Sequence, residues 1–240
     1  MCVQERTLSA DGIELHLATN HIGHWLLTSL IMPKLITAAG GSPWGATRVV
    51  NVSAGSAIVA SMRWSDINFN KKNKDLPQEE QPNRQLLEAW GYKNIDETVY
   101  IPLDAYNRSK VANVLSGIGA NKRLFEKHGI LTLAVEPGVI KTELRRDFPT
   151  STLDAVRALM DKGVFIHKSL EAGSSTTLVA ALDPKLAVGV GETQNHSENW
   201  GAFLGDCQIS GRASALAVSS KEAERLWELS EKLVGQKVSW

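Results

Sequence analysis

Tyr106 and Lys110 stand four residues apart at the start of a segment with helical apolar periodicity. On a helix this spacing puts both side chains on one face, one turn apart. A free tyrosine has a pKa near ~10, which is too high for proton transfer at neutral pH. A lysine charge one turn away favours the phenolate and lowers that pKa, as general acid/base catalysis requires. A surface helix without any chemistry fits the same spacing, so the flanking segments carry the rest of the argument.

The composition is that of one ordinary globular domain. A chain of 240 residues can bury a sizeable core, and its 26 Lys plus Arg balance 26 Asp plus Glu. This balance does not favour nucleic acid or an anionic membrane as a partner. Two cysteines, Cys2 and Cys207, make neither a disulfide framework nor a metal-ligand spacing. We expect no metal, no signal peptide, no apolar run approaching the ~20 residues of a membrane span, and a cytoplasmic setting.

Helical and strand patterns alternate along the chain. Apolar spacing predicts helices over 13–36, 106–128, 169–182 and 219–234, and short buried strands over 48–53, 130–135 and 200–207. This order is typical of an open, mostly parallel α/β sheet. Ligands bind at the carboxyl ends of such strands, which here carry Ser53, Pro137-Gly138 and Asp206-Cys207. The first two flank the Tyr106 helix in sequence, which predicts a site beside it.

Two further segments are predicted to border this site. Residues 55–104 lack clear periodicity and contain a polar tract from 70 to 84 with two prolines. A long irregular segment inside a compact domain is usually functional or disordered, so we interpret 55–104 as an insertion near the site. Residues 145–168 are expected to be a mobile substrate-side segment with a helix at 150–162. Both lie in a single domain that spans 1–240.

Four motifs, in this order, resemble the short-chain dehydrogenase/reductase family. They are the run Thr19-Asn20-His21-Ile22-Gly23-His24, the strand at 48–53, the Tyr106/Lys110 pair, and Pro137-Gly138-x-x-x-Thr142. The similarity runs from about Thr7 to the C-terminus, and the retinol-dehydrogenase-like branch with its fungal members is the most similar. The resemblance implies a Rossmann-like fold and an oxidoreductase that interconverts a carbonyl and an alcohol on an apolar small molecule, with a place in secondary metabolism.

The resemblance also assigns roles to individual residues. Tyr106 would exchange a proton with the substrate oxygen, while Lys110 would lower its pKa and hold the nicotinamide ribose. Ser53 would steady the substrate oxygen, and Asn20 would position a relay water. The hydride would come from NADP(H) or NAD(H), which the protein orients. This cofactor would be held by Tyr106, Lys110 and five residues of the loop after the second strand: Pro137, Gly138, Val139, Ile140 and Thr142.

Two departures from the family bear on activity. Nothing before Thr7 resembles the family's Gly-rich turn that binds the pyrophosphate, so we expect an N-terminally truncated sheet that holds the cofactor weakly. Members of this branch usually read Val-Ser-Ser after the strand, whereas this chain reads Val52-Ser53-Ala54, which puts Ala54 in the catalytic slot. The lost hydrogen bond is typically worth roughly 3 kcal/mol in the transition state. Ser53 or Ser56 would replace it only if the turn is shifted.

Three hypotheses therefore stay open. The first is an NAD(P)(H)-dependent oxidoreductase acting on a small-molecule substrate. The second is a cofactor-free isomerase, dehydratase or cyclase that uses Tyr106 as its acid/base. The third is a catalytically dead interaction protein whose exposed sheet edge pairs with another chain, in a homo-oligomer or with a partner that completes the sheet.

Overall fold

The computed structural model describes residues 2–187, 190–194 and 197–240. Its helices are α1 (Leu15–Ala39), α2 (Ser56–Val59), α3 (Arg84–Ala89), α4 (Pro102–His128), α5 (Thr150–Asp161), α6 (Leu170–Leu182) and α7 (Ser220–Val234). Its strands are β1 (Arg48–Val52), β2 (Leu131–Glu136), β3 (Phe203–Gly205) and β4 (Gln208–Ile209). The predicted alternation of helices and strands is confirmed.

The four strands form one open sheet in the order β1-β2-β3-β4. β1, β2 and β3 run parallel, and β4 pairs antiparallel with β3. In this register Val52 lies beside Val135, and Glu136 lies beside Gly205. The carboxyl ends of the three parallel strands therefore meet at one edge, as predicted for an open, mostly parallel α/β sheet.

Helices cover both faces of the sheet. On one face α4 packs its apolar side between the sheet and α7, in a core that includes Val111, Ala134 and Leu226. On the other face α6 contributes Ala180 to a core with Leu133. Because α4 is buried along most of its length, its first turns are held firmly against the carboxyl end of β1.

Local end signals explain where the main helices begin and end. Gly129 follows α4 with φ +67°, a left-handed conformation that ends the helix at little steric cost. Ser169 begins α6, since its hydroxyl oxygen accepts a hydrogen bond from the Ala172 N–H at 3.2 Å. Ser219 does the same for α7 through the Glu222 N–H, at 3.4 Å. These ends agree with those predicted from the sequence.

The insertion 55–104 is more ordered than its sequence indicates. It contains α2, α3 and several 3-10 turns. Two buried arginines, Arg63 and Arg108, tie these pieces together. Arg63 donates to the Asp66 carboxylate at 2.8 Å and to Asn73 Oδ1 at 2.7 Å, while Arg108 donates to the Glu80 carbonyl at 2.6 Å. The guanidinium groups add to a small apolar core between Leu87 and Leu103. Because that core is assembled from short segments, hydrophobic periodicity did not reveal this order.

Among the described residues, α1 is long and apolar enough to cross a membrane by length and composition. It spans 25 residues with a mean hydropathy of 1.2 in its best window, and one such helix is weak evidence for a membrane span. A core helix of a globular protein passes the same test. The buried polar side chains of His16, Asn20 and His21 lie on this helix, and they bond to other parts of the fold.

Candidate active site

Tyr106 and Lys110 lie together at the carboxyl end of β1. The Lys110 Nζ lies 5.8 Å from the centre of the Tyr106 ring, and both side chains are half-buried. The same nitrogen donates a hydrogen bond to the Val52 carbonyl, at 2.8 Å. Because Val52 is the last residue of β1, this bond fixes the ammonium at the sheet edge where ligands bind in open α/β folds. The geometry that the spacing predicts is present, and the catalytic roles stay predictions.

The two ionisable groups are shifted chiefly by burial. Burial raises the pKa of the Tyr106 phenol, with a smaller contribution from the nearby Cys2. Burial lowers the pKa of the Lys110 ammonium to about 8. The expected lowering of the Tyr106 pKa is absent from this arrangement, because desolvation of the phenolate dominates. At neutral pH the phenol therefore keeps its proton.

Asn20 is joined to the same turn of α4. Within α1, residues Ala18–Ile22 form a π-helical turn, an irregularity that frequently occurs at functional sites. The buried Asn20 Nδ2 donates to Ser109 Oγ at 3.0 Å, and this hydroxyl donates to the Tyr106 carbonyl at 2.7 Å. The Asn20 carbonyl in turn accepts a hydrogen bond from His24 Nδ1, at 2.9 Å. Ser109 was not among the predicted site residues, although it lies inside the Tyr106/Lys110 motif.

The two serines after β1, Ser53 and Ser56, both donate hydrogen bonds to α4. Ser53 is 2% exposed, and its hydroxyl donates to the Lys110 backbone carbonyl at 2.7 Å. Ser56 is also buried, and its hydroxyl donates to Asn107 Oδ1 at 2.8 Å. Both hydroxyls thus tie the turn to α4 instead of facing a substrate. The catalytic role of Ser53 stays a prediction that this geometry does not favour, and the half-buried Ala54 carries no hydroxyl to take it over.

The loop after β2 is shaped by a glycine and a lysine. Gly138 has φ +81°, and a Cβ added there would lie 2.7 Å from Lys168 Cε. The Lys168 N–H donates to the Val139 carbonyl at 2.8 Å, and its ammonium forms an ion pair with Asp206, just after β3. Ile140 pairs with the same lysine in a short β-bridge. The loop is therefore anchored to the start of α6 and to the end of β3.

The remaining loop residues place a free hydroxyl near this edge. Pro137 leads directly from β2 into the loop, and Thr142 begins a 3-10 turn beyond it. Thr142 Oγ accepts a hydrogen bond from the Leu144 N–H at 3.4 Å, which leaves its own O–H available to donate.

The segment 145–168 packs on the insertion. Tyr92 bonds to Thr152 of α5, and the rings of Trp90 and Phe165 stack at 6.3 Å. Burial raises the pKa of the Cys2 thiol to about 12, and Asp147 adds to this rise. Tyr106 packs against the same part of the insertion as Trp90 and Tyr92, on which this segment rests.

The hydrogen-bond donors of Lys110 and Thr142 suit the nicotinamide-ribose part of a dinucleotide. Among the described residues, the Lys110 ammonium uses one N–H on the Val52 carbonyl, so two remain for ribose hydroxyls. Thr142 offers its O–H to an amide oxygen, and the left-handed Gly138 lets the backbone approach a flat ring closely. Within the described ranges, no group of three or more His, Cys, Asp or Glu side chains is placed to hold a metal ion.

Comparisons with known proteins found relatives of this chain, although no family model matches it. A protein named "Probable oxidoreductase" from Streptomyces lividans is 30% identical over 233 residues, covering 95% of this chain and 67% of that protein. The "Short-chain dehydrogenase TIC 32 A, chloroplastic" of Brassica napus is 31% identical over 229 residues, covering 95% of this chain and 59% of the relative.

The chain belongs to the short-chain dehydrogenase/reductase family. "Retinol dehydrogenase 12" from Homo sapiens is 32% identical over 235 residues, covering 98% of this chain and 58% of that protein. This short-chain dehydrogenase/reductase spans about half to two thirds of the length of the curated relatives that it matches. A crystal structure of an uncharacterized protein from Mycobacterium Paratuberculosis has the same fold, with a TM-score of 0.57, 23% identity, and coverage of 100% of this chain and 66% of the other.

Proposed function

We propose that this protein is an NAD(P)(H)-dependent oxidoreductase that reduces a carbonyl group on an apolar small molecule. One observation carries the proposal: Lys110, Tyr106 and Asn20 converge on one turn of α4 at the carboxyl end of β1. The family supports oxidoreductase chemistry, and a relative named for retinol, an apolar alcohol, supports the substrate class. The phenol is protonated at neutral pH and so starts as the proton donor in the direction of reduction, although burial raises its pKa and makes it a weaker acid.

Each residue contributes one step to this reaction. The bound NADPH or NADH supplies the hydride. Tyr106 donates its phenolic proton to the substrate oxygen as the carbonyl is reduced, and Lys110 offers its two remaining N–H groups to ribose hydroxyls. Pro137, Gly138, Val139, Ile140 and Thr142 form the wall on the nicotinamide side.

Cofactor binding is the direct test of the proposal. NADPH and NADH are titrated separately against the purified chain, and the intrinsic fluorescence of the protein is measured. Binding tighter than ~100 μM, about −5.5 kcal/mol, is the expected result for at least one of them. Lys110→Met should weaken this binding, whereas Tyr106→Phe should leave most of it and abolish turnover. No binding of either nucleotide up to millimolar concentration would refute the oxidoreductase proposal.

A cofactor-free acid/base enzyme is the second candidate, because such a reaction needs only the Tyr106 phenol with the Lys110 ammonium beside it at the sheet edge. A phenol that stays protonated at neutral pH can serve as a general acid for an isomerase or dehydratase without any nucleotide. The two candidates differ in their dependence on NAD(P)H. Turnover of a carbonyl substrate that continues after nucleotide is removed, and that Tyr106→Phe abolishes, would support this candidate over the first.

We also propose that the outer edge of β1 pairs with a further strand, from a second copy or a partner chain. Among the described residues, β1 pairs with β2 on one side only. Its Val52 is 48% exposed. Unpaired backbone groups beside apolar side chains are a template for strand addition. Light scattering should show an oligomer that Val52→Lys weakens, and a monomer at high concentration would count against self-association.

A further inference from the structure

A buried polar cluster at the start of α1 has no part in the reaction proposed above. It consists of Glu14, His16 and Tyr100, and the first two are 1% and 0% exposed. The Glu14 carboxylate accepts three hydrogen bonds. They come from the Leu17 N–H at 2.9 Å, His16 Nδ1 at 2.8 Å and the Tyr100 hydroxyl at 3.3 Å.

The hydrogen bonds determine the tautomer of His16. Its Nε2 lies 2.9 Å from the backbone nitrogen of Val3. A backbone N–H can only donate, so Nε2 must be the acceptor and carries no proton. The imidazole proton is therefore on Nδ1, where it is donated to Glu14. His16 is held as one neutral tautomer, with a partner on each nitrogen.

This cluster touches the candidate catalytic tyrosine in two ways. The His16 ring packs edge-on against the Tyr106 ring, with centroids 6.3 Å apart. Through Val3, His16 also holds the neighbouring Cys2, which is buried and lies near Tyr106. Three other contacts, to Glu14, Tyr100 and Val3, prevent the His16 ring from turning away.

We propose that His16 is a positioning residue for Tyr106. Its ring packs against the Tyr106 ring and limits the space in which the phenol can turn, and its hydrogen bond with Val3 holds the Cys2–Val3 segment nearby. The inference rests on the proposed role of Tyr106 in the reaction, and it adds a residue that supports the phenol from behind. A small displacement of a reacting group costs up to roughly 100-fold in rate, so the expected loss in kcat lies between about 10-fold and 100-fold.

The position of the phenol can be measured without cofactor or substrate. The chain contains three tyrosines, so labelling with 3-fluorotyrosine gives three fluorine NMR signals, which Tyr→Phe variants assign. His16→Asn keeps a donor near Glu14 but removes the ring and the acceptor for Val3. His16→Phe keeps a ring and removes both hydrogen bonds. The Tyr106 signal should shift and broaden in His16→Asn, and to a smaller degree in His16→Phe.

Met32→Ala is the matched control for lost stability. Met32 is fully buried on the same helix, four turns away and in a different part of the core. The Met32→Ala variant should lower the melting temperature of the protein while the Tyr106 fluorine signal stays unchanged. An unchanged Tyr106 signal in His16→Asn, or an equal shift in Met32→Ala, would overturn the proposal.

Kinetics separate this proposal from the proposed function. In an active preparation, His16→Asn should lower kcat about 10-fold or more with little change in KM, because substrate contacts are kept while proton donation is misaligned. Partial unfolding also lowers the apparent kcat at constant KM, so kcat is expressed per folded molecule, with the folded fraction measured by circular dichroism. A loss in kcat that disappears after this correction would count against positioning. If the wild-type chain binds neither nucleotide, the oxidoreductase proposal fails, while the fluorine result still decides whether His16 holds the phenol.

Discussion

The stability of this protein should fall in mildly acidic solution because of one buried imidazole. His21 lies on α1 and is 1% exposed, with its Nε2 2.8 Å from Ser230 Oγ of α7. The Ser230 hydroxyl donates its own proton to the Leu226 carbonyl at 2.8 Å, so His21 Nε2 must be the donor in this pair. Burial, with some help from the charge of His24, lowers the pKa of His21 from 6.5 to about 3.

The sign and size of the effect follow from this shift. The folded-state pKa lies below the unfolded one, so as pH falls below about 6.5 the unfolded chain takes up a proton that the folded chain refuses. The contribution of His21 to the free energy of unfolding is therefore fully present above pH 7 and is lost progressively between about pH 6.5 and pH 3. Between pH 7 and pH 5 the linkage relation gives a loss of about 2 kcal/mol in the free energy of unfolding.

Urea unfolding at pH 7, 6 and 5 measures this loss, with His21→Gln as the comparison. Glutamine can place an amide N–H near the Nε2 position and does not titrate, so its curve should lack about 2 kcal/mol of the wild-type decline. His128→Gln, at the end of α4, controls for the removal of an imidazole elsewhere. If the wild type and His21→Gln lose the same free energy between pH 7 and pH 5, the reasoning about His21 is refuted.

Three further predictions concern the insertion, the loop and the ammonium. Asp66→Asn should lower the free energy of unfolding by about 3–5 kcal/mol, because it leaves the buried Arg63 guanidinium without the carboxylate it pairs with. A loss below about 1 kcal/mol in urea unfolding would contradict this. Gly173→Ala usually stabilises a helix interior by roughly 0.5–1 kcal/mol, but here this gain should be lost, since Ile140 Cδ1 and Cγ1 lie 2.1 and 2.8 Å from the added Cβ and must move. The full gain in urea unfolding would contradict this contact. Nucleotide affinity should fall as pH rises through about 8, where Lys110 loses its proton, and Lys110→Met should remove that dependence in the same titration.

Much of the fold could be predicted because its signals are local. Apolar spacing and cap residues such as Ser169 and Gly129 report backbone conformation within a few residues, so the helices and strands were located to within a few positions. The order within the insertion was missed because the contacts that stabilise it are not local in the sequence. Arg63 and Arg108 stabilise it through polar contacts between residues that hydrophobic periodicity does not connect.

The sequence by itself determined that Tyr106 and Lys110 share a helix face, because a four-residue spacing is a property of one helix. Only the tertiary structure decided the ionisation of the phenol, since burial against distant segments, including Cys2, outweighs a charge one turn away. It also decided the bonding of Ser53, whose hydroxyl meets the Lys110 carbonyl through the packing of β1 on α4. Spacing along a chain specifies which side chains can meet, whereas solvation depends on everything that is packed around them.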